Sequence, residues 1–253
     1  MSLPSAGIAF ALSLLLLPGT IHGADKPSEV RKAETLPPTG EEILRLVRMS
    51  QALQDLKHLK GKLRIDESDL DPRYEGSEYP FDLTMADNVI RFMFPDPPKE
   101  IINLDLNDNG TKLTRVTSAG KIEMPASLYG ERVRQTAINY EDLSMRFLYW
   151  PNAKVIDEES ISFQTCWVVR VSNPDNRGPY RVVDLWVHRK SGAMMQLKAY
   201  NAQGKIVKIF EVRKAQKYSK TDSYILKQMR VETFDPETNK VLGRTYLEIA
   251  DPD

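Results

Sequence analysis

Hydrophobic and polar residues alternate along most of the chain after residue 58, a pattern that predicts β-strands with one buried face. The alternation is clearest over residues 161–171, where one face carries Ile161, Phe163, Thr165, Trp167, Val169 and Val171. Further strands are predicted over residues 59–65, 81–85, 90–94, 102–106, 180–189, 194–200, 206–212, 224–234 and 241–249. Short turn-forming clusters separate the later strands and leave no room for crossover helices, which predicts an antiparallel meander.

A helical period replaces the alternation near the start of the chain. Thr39 and Glu42 form a capping-box pattern, and apolar residues follow at helical spacing to about residue 57. A second, weaker pattern over residues 124–137 predicts a short helix opened by Pro125.

A third helix is predicted over residues 140–150, with Asn139 as its cap and Pro151 as its end. Phe147 and Trp150 fall on one side of this helix. Because so short a helix is marginal alone, we expect it to hold its place by its aromatic face and to act as a lid that touches a ligand. The alternative is a fixed core helix.

The first residues of the chain differ from the rest. Residues 8–17 form an apolar run of signal-peptide length, which predicts export, with residues 1–24 as the signal peptide. The alternative is an uncleaved anchor. No cysteine near residue 24 could accept a lipid, so we expect a periplasmic protein that is not lipidated. Residues 25–38 are predicted as a linker, and residues 39–253 as one domain.

Composition and charge remove several functional classes. The chain has 35 basic and 35 acidic residues, so its charge gives no argument for nucleic-acid binding. Its single cysteine, Cys166, cannot form an internal disulfide, and no neighbouring histidine or aspartate activates it.

Signatures of catalysis and of metal or cofactor binding are missing from the sequence. Outside residues 1–24 the only histidines are His58 and His188, which lie far apart in the sequence. Residues 105–110 copy the first half of a calcium-binding loop, but Val116 stands where a bidentate glutamate belongs, so a hairpin turn is predicted there. We therefore predict no enzyme activity, no metal and no cofactor.

Large apolar side chains are the most prominent feature of the sequence. They favour either a closed core or an apolar pocket between a sheet and its helices. The residues proposed to line such a cavity are Phe92, Phe94, Phe147, Trp150, Trp167, Val169, Trp186 and Leu197.

Several of these residues belong to motifs that resemble those of outer membrane lipoprotein-sorting proteins, a LolA-like family. The motifs are Tyr140-Glu141-Asp142-Leu143, Arg146-Phe147-Leu148-Tyr149-Trp150-Pro151, Cys166-Trp167-Val168-Val169-Arg170, Asp184-Leu185-Trp186-Val187, Lys190-Ser191-Gly192-Ala193, Gly204-Lys205, Glu211-Val212 and Met229-Arg230-Val231-Glu232. The resemblance extends from about residue 59 to residue 249.

The resemblance implies an α+β fold, mainly antiparallel β: a curved half-open barrel with helices covering the concave face. It implies a periplasmic carrier that binds the acyl chains of lipoproteins or other lipids, with inner- and outer-membrane sorting components as partners. An arginine that helps to fasten the lid in LolA is replaced here by Met85-Ala86-Asp87. The alternative function is an envelope-stress sensor that binds a membrane-anchored regulator and responds to a lipid signal.

Overall fold

The computed structural model describes residues 37–52, 58–69, 71–86, 89–107, 110–218 and 223–251. These ranges contain two α-helices and thirteen β-strands. The helices are α1 (Gly40–Ala52) and α2 (Tyr140–Ser144). The strands are β1 (His58–Ser68), β2 (Glu78–Ala86), β3 (Val89–Phe94), β4 (Glu100–Asn107), β5 (Gly110–Thr117), β6 (Gly120–Glu123), β7 (Lys154–Ile161), β8 (Gln164–Ser172), β9 (Val182–His188), β10 (Met194–Tyr200), β11 (Ile206–Tyr218), β12 (Ser223–Phe234) and β13 (Val241–Ile249).

All thirteen strands form one antiparallel sheet, which confirms the predicted fold class. Its order is β6-β5-β4-β3-β2-β1-β13-β12-β11-β10-β9-β8-β7. Strands that are neighbours in the sheet are consecutive in the chain, except at the centre, where β1 pairs with β13. The sheet is open, with β6 and β7 as its two edge strands.

One face of this sheet is apolar, and we call it the inner face. In β4 the side chains of Ile102, Leu104 and Leu106 are buried in the main apolar cluster while their neighbours are partly exposed. The outer face carries ion pairs, such as that of Arg244 with Glu232 at 2.7 Å. This division follows from the period of two in the sequence.

The first predicted strand of the meander is wrong in its boundaries. Residues 161–171 do not form one strand, because Ser162 and Phe163 make a two-residue turn between β7 and β8. The sequence analysis missed β7 itself. Its side chains from Lys154 to Ser160 are all exposed, so this edge strand has no apolar alternation to detect.

Helix α1 begins as predicted. The backbone N–H of Thr39 donates to Glu42 Oε2 (2.8 Å), and the N–H of Glu42 donates to Thr39 Oγ1 (3.3 Å), which completes the capping box. The helix is described to Ala52, and the predicted continuation over residues 53–57 lies outside the described residues.

The predicted helix over residues 124–137 is wrong. The structure has only a short 3-10 turn, Ala126–Leu128, followed by irregular backbone. Arg134 and Gln135 adopt left-handed backbone conformations (φ 51° and 61°), which a helix cannot accommodate.

The hairpin predicted at the calcium-loop-like sequence is present, since Asn107 pairs with Gly110 across β4 and β5. Among the helices in the described ranges, none combines the length and apolar character required to cross a membrane.

Candidate functional site

The segment that links the two edge strands crosses the inner face of the sheet. We call this segment, residues 124–153, the strap. Thr111 Oγ1 on β5 donates to Ser144 O of the strap (2.6 Å), and Ala137 N of the strap donates to Thr245 Oγ1 on β13 (2.9 Å). The strap therefore extends over the sheet from β5 to β13 and covers its apolar face.

The helix predicted over residues 140–150 is divided in the structure. Its predicted cap is present, because Asn139 Oδ1 accepts the N–H of Asp142 and Asp142 Oδ2 accepts the N–H of Asn139. Helix α2 stops at Met145, which takes a left-handed conformation (φ 49°). A 3-10 turn, Arg146–Tyr149, follows. The continuous helix of the sequence analysis is therefore wrong.

Contacts with other elements, not helix propensity, determine the path of this part of the strap. The carbonyl of Ser144 accepts a hydrogen bond from Thr111, and the carbonyl of Leu148 accepts one from Arg48 of α1 (2.5 Å). A helix of five residues is too short to be stable alone. Its conformation is set by these anchors and by burial.

The eight side chains that the sequence assigned to a cavity lie on both faces of the sheet. Phe92, Phe94, Phe147, Trp150, Val169 and Leu197 are buried in the main apolar cluster, Trp167 packs against that cluster, and Trp186 lies in a second cluster with Cys166, Val168, Ala193 and Met195. Because Trp186 alternates with Leu185 and Val187 of the main cluster, it points to the outer face. Of the proposed cavity residues in the main cluster, Phe147 and Trp150 belong to the strap, and the others lie on strands of the sheet.

Two strap aromatics contact each other there. The rings of Phe147 and Trp150 meet edge to face with centroids 6.4 Å apart, and both side chains are buried. In this conformation the strap's own side chains fill the apolar face.

A polar cluster, which we call the latch, fastens the strap to the sheet. Asp142 Oδ1 accepts from the hydroxyl of Tyr180 (2.5 Å), and Asp142 Oδ2 accepts from Lys208 Nζ of β11 (2.6 Å). Asn139 Nδ2 donates to the same tyrosine oxygen (3.2 Å). All four side chains are buried, so the carboxylate exchanges water for protein donors on both oxygens.

Burial changes the protonation behaviour of the latch. Desolvation, reinforced by the adjacent Asp142, raises the pKa of Tyr180 well above its ordinary value. Desolvation also lowers the pKa of Lys208, and the attraction of Asp142 opposes that change. The tyrosine thus stays neutral and acts as a donor.

A second ion pair lies beside the latch. Arg146 donates to both carboxylate oxygens of Glu141, with Nε at 3.0 Å and Nη2 at 2.7 Å, and Nη2 also donates to the carbonyl of Arg177. Burial raises the pKa of Glu141, while hydrogen bonding to Arg146 lowers it. The pair closes the strap against the loop that precedes β9.

Gly178 in that loop leaves the space which this ion pair occupies. Its φ is 82°, a backbone conformation that favours glycine, and a Cβ there would lie 2.6 Å from Glu141 Oε2. We expect Gly178→Ala to lower the free energy of unfolding by about 1–3 kcal/mol, through backbone strain and displacement of the pair. Chemical denaturation would measure it.

Gly204→Ala is the matched control for this prediction. Gly204 has a similar φ (72°), but a Cβ there would meet open space. This variant should show only the loss of unfolding free energy that comes from backbone strain. Equal losses for the two variants would contradict a role for Gly178 in the ion pair.

A third polar group holds the strap to β4. Tyr140 OH donates to Glu100 Oε1 (2.7 Å), which also accepts from Arg115 Nε (2.7 Å). Arg134 Nε lies 3.2 Å from Glu100 Oε2, close enough for an ion pair but not aligned for a hydrogen bond. Burial raises the pKa of Tyr140, so this tyrosine is also a neutral donor.

Sequence reasoning missed these polar anchors. Lys208 and Glu100 lie on strands that the alternation treats as ordinary, and their inward direction depends on the register. One signal was available: Glu141 and Asp142 are charged residues within a segment predicted to be an apolar lid. Buried carboxylates require partners, so these residues indicate cations on the facing strands.

Two recesses of the described surface lie away from the strap. One of about 460 Å³ is lined by residues of β1, β2 and β11 to β13 and by Ala250, and one of about 380 Å³ by residues around the β7–β8 and β9–β10 turns. Within the described ranges, no group of three or more His, Cys, Asp or Glu side chains is arranged to hold a metal ion.

Comparison with known proteins adds a family and a fold. A family model described as "Uncharacterized protein" matches residues 119–252, a range that includes the strap. No curated protein matches the chain.

Three of the solved structures with the same fold come from bacteria. An outer membrane lipoprotein-sorting protein domain from Vibrio parahaemolyticus has a TM-score of 0.64 and 12% identity, over 84% of this chain and 92% of that chain. A DUF1329 family protein from Desulfovibrio piger has a TM-score of 0.63 and 12% identity, over 84% and 90%. A LolA superfamily protein from Nitrosomonas europaea has a TM-score of 0.59 and 14% identity, over 85% and 93%.

Proposed function

We propose that this chain is an exported carrier of lipoprotein acyl chains. It belongs to the uncharacterized protein family whose model matches residues 119–252. Its fold is that of outer membrane lipoprotein-sorting and LolA superfamily proteins. The observation that carries the proposal is the strap. It covers the apolar face of an open sheet, yet charged and polar side chains fasten it there.

Acyl-chain binding needs the apolar surface that the strap now covers. Removing a fatty chain from water contributes about 0.8 kcal/mol per methylene. The inner-face side chains Phe92, Phe94, Val169 and Leu197 supply such a surface on the sheet. Cargo would replace the contacts that strap side chains such as Phe147 make with the sheet, and those side chains would then cover the cargo from its other side, with no net exposure of the sheet.

The latch makes such an exchange less costly than lifting a wholly apolar cover. When the strap lifts, Asp142, Lys208 and Glu141 regain hydration, and this offsets much of the lost pairing energy. A buried ion pair contributes little net stability, but it fixes the strap in one position on the sheet. This balance suits an element that opens and closes.

The proposed binding residues follow from the two faces of the sheet. Phe92, Phe94, Phe147, Trp150, Val169 and Leu197 would contact the acyl chains, with Trp167 at the rim. Trp186 points to the outer face and would not contact them.

The proposed location is the periplasm, which rests on the apolar run over residues 8–17. A carrier of lipoproteins between membranes needs a donor and an acceptor, so the partners would be lipoprotein-sorting components of the inner and outer membranes. The chemistry proposed is non-covalent binding, without catalysis.

Lipid content tests this function directly. The protein is purified without detergent from the exporting cell, and its organic extract is analysed by mass spectrometry. We expect bound acyl lipid, and displacement of a fluorescent apolar probe by a triacylated lipopeptide. An extract without lipid, together with a probe that lipopeptide does not displace, would contradict the carrier.

A further inference from the structure

The turn between β7 and β8 exposes a large aromatic side chain. Ser162 and Phe163 connect Ile161 to Gln164, which pair directly across the hairpin. Phe163 is fully exposed, whereas the other aromatic residues near this end of the sheet are at least partly buried. A single exposed phenylalanine is an apolar contact without a partner in the described structure.

The backbone conformation of this turn disfavours a phenylalanine. Both turn residues have positive φ, 49° for Ser162 and 64° for Phe163. A two-residue turn with two positive φ values favours Asn-Gly, and an aromatic residue there is strained. Strain without a compensating contact in the fold points to a contact outside it.

A recess beside Phe163 combines aromatic and basic side chains. The recess, of about 380 Å³, is lined by Phe163, Gln164, Thr165, Trp167, His188, Arg189 and Lys190, with no carboxylate among them. Arg189 stacks over the ring of Trp167 at 5.4 Å and pairs with Glu158 at 3.0 Å. In the described residues no acidic side chain pairs with Lys190.

We propose that the β7–β8 tip, residues 161–165 with Trp167 and Lys190, docks on a phospholipid bilayer with Phe163 inserted at the interface. Aromatic side chains with adjacent cations are the residues that settle at the boundary between headgroups and acyl chains. Lys190 supplies the charge that anionic headgroups attract. Contact would be weak and reversible, since one ring is inserted.

This site lies next to the sheet's inner face. Trp167 lines the recess and also packs against the main apolar cluster. Docking through the tip would therefore bring the rim of the cargo space to the bilayer, and this step alone rests on the proposed function.

Vesicle binding without cargo tests the tip independently of the carrier function. Secreted wild-type protein, with its N-terminus verified by mass, is sedimented with vesicles of phosphatidylcholine alone or with added phosphatidylglycerol. We expect binding that is stronger to the anionic vesicles. Trp150 and Trp186 are buried and Trp167 is not, so brominated lipid should quench mainly the Trp167 emission.

Phe163→Asn separates docking from folding. Asparagine tolerates positive φ, so the melting temperature should stay the same or rise. Vesicle partition should fall about tenfold, because the ring that inserts into the bilayer is lost. Lys190→Gln should lower partition about fivefold on anionic vesicles only. Ile122→Ser replaces an exposed apolar residue of β6 and is the matched control, so it should leave vesicle partition unchanged.

Three outcomes would overturn the proposal. The first is that wild-type protein binds to neither type of vesicle, even if the tip can be crosslinked to a membrane protein. Equal partition of wild type and Phe163→Asn is another. A change from dimer to monomer in Phe163→Asn by sedimentation would show that the tip contacts a second copy of the chain instead.

Discussion

Replacing Lys208 with methionine should lower the free energy of unfolding by about 3–5 kcal/mol, the usual cost of leaving a buried charge without its partner. Asp142 would keep the Tyr180 hydroxyl and the Asn139 backbone N–H as donors but lose the Lys208 ammonium, which lies 2.6 Å away. Urea denaturation of the purified variant measures the change.

Two further variants decide whether the latch explains that loss. The double variant Asp142→Asn with Lys208→Met should be more stable than Lys208→Met alone, because no charge stays buried and unpaired. Lys62→Met removes an exposed ion pair with Glu78 and should cost no more than about 1 kcal/mol. A Lys208→Met protein as stable as Lys62→Met would contradict the importance of the latch.

The sheet could be predicted from sequence because its two faces differ in polarity. Strands such as β3 and β4 bury alternate side chains, and the period of two is visible in the letters. Strands at the edge escape this logic. β7 and β6 are exposed on both faces, so burial imposes no pattern on their residues.

The turn at Phe163 was not predicted from the sequence, for a related reason. Phe163 lies in phase with Trp167 and Val169, so the alternation placed it on the apolar face of a continuous strand. The structure makes it the exposed tip of a hairpin instead. A hydrophobic residue that serves an external contact follows no burial rule, and sequence periodicity cannot separate the two cases.

The apolar part of the candidate site was more accessible to sequence reasoning than its polar part. Inner-face residues such as Phe92 and Leu197 were named from periodicity and lie in the main cluster. The contact between Asp142 and Lys208 joins residues 66 positions apart, and it depends on how the strap crosses β11. Such long-range polar pairing leaves no periodic trace in either segment.

These polar contacts also change how the strap should be understood. A short amphipathic helix held by its aromatic face would open by exposing apolar surface to water. In the observed strap, residues 140–149 form a five-residue helix and a 3-10 turn, which are held by ion pairs and hydrogen bonds as well as by aromatic packing. Opening would hydrate charges while cargo occupies the apolar face, so the two events favour each other.

Phe147→Ala should both destabilise the protein and weaken cargo binding if the strap is the ligand cover. Phe147 is buried against Trp150 and the inner face, so its truncation should cost about 3–5 kcal/mol of unfolding free energy. Loss of a ring that contacts acyl chains should also weaken binding of an apolar probe to the folded protein about tenfold. Denaturation and probe titration measure the two effects separately.

Trp186→Ala is the matched control, because Trp186 is equally buried but packs on the outer face, with its Nε1 donating to Glu159 (2.9 Å). It should lose a similar amount of stability and keep full probe affinity, since no cargo on the inner face can reach it. If Phe147→Ala behaves like Trp186→Ala, with unchanged probe affinity at temperatures where both are folded, the strap is a fixed part of the core. A selective loss in Phe147→Ala would instead place the strap at the binding surface.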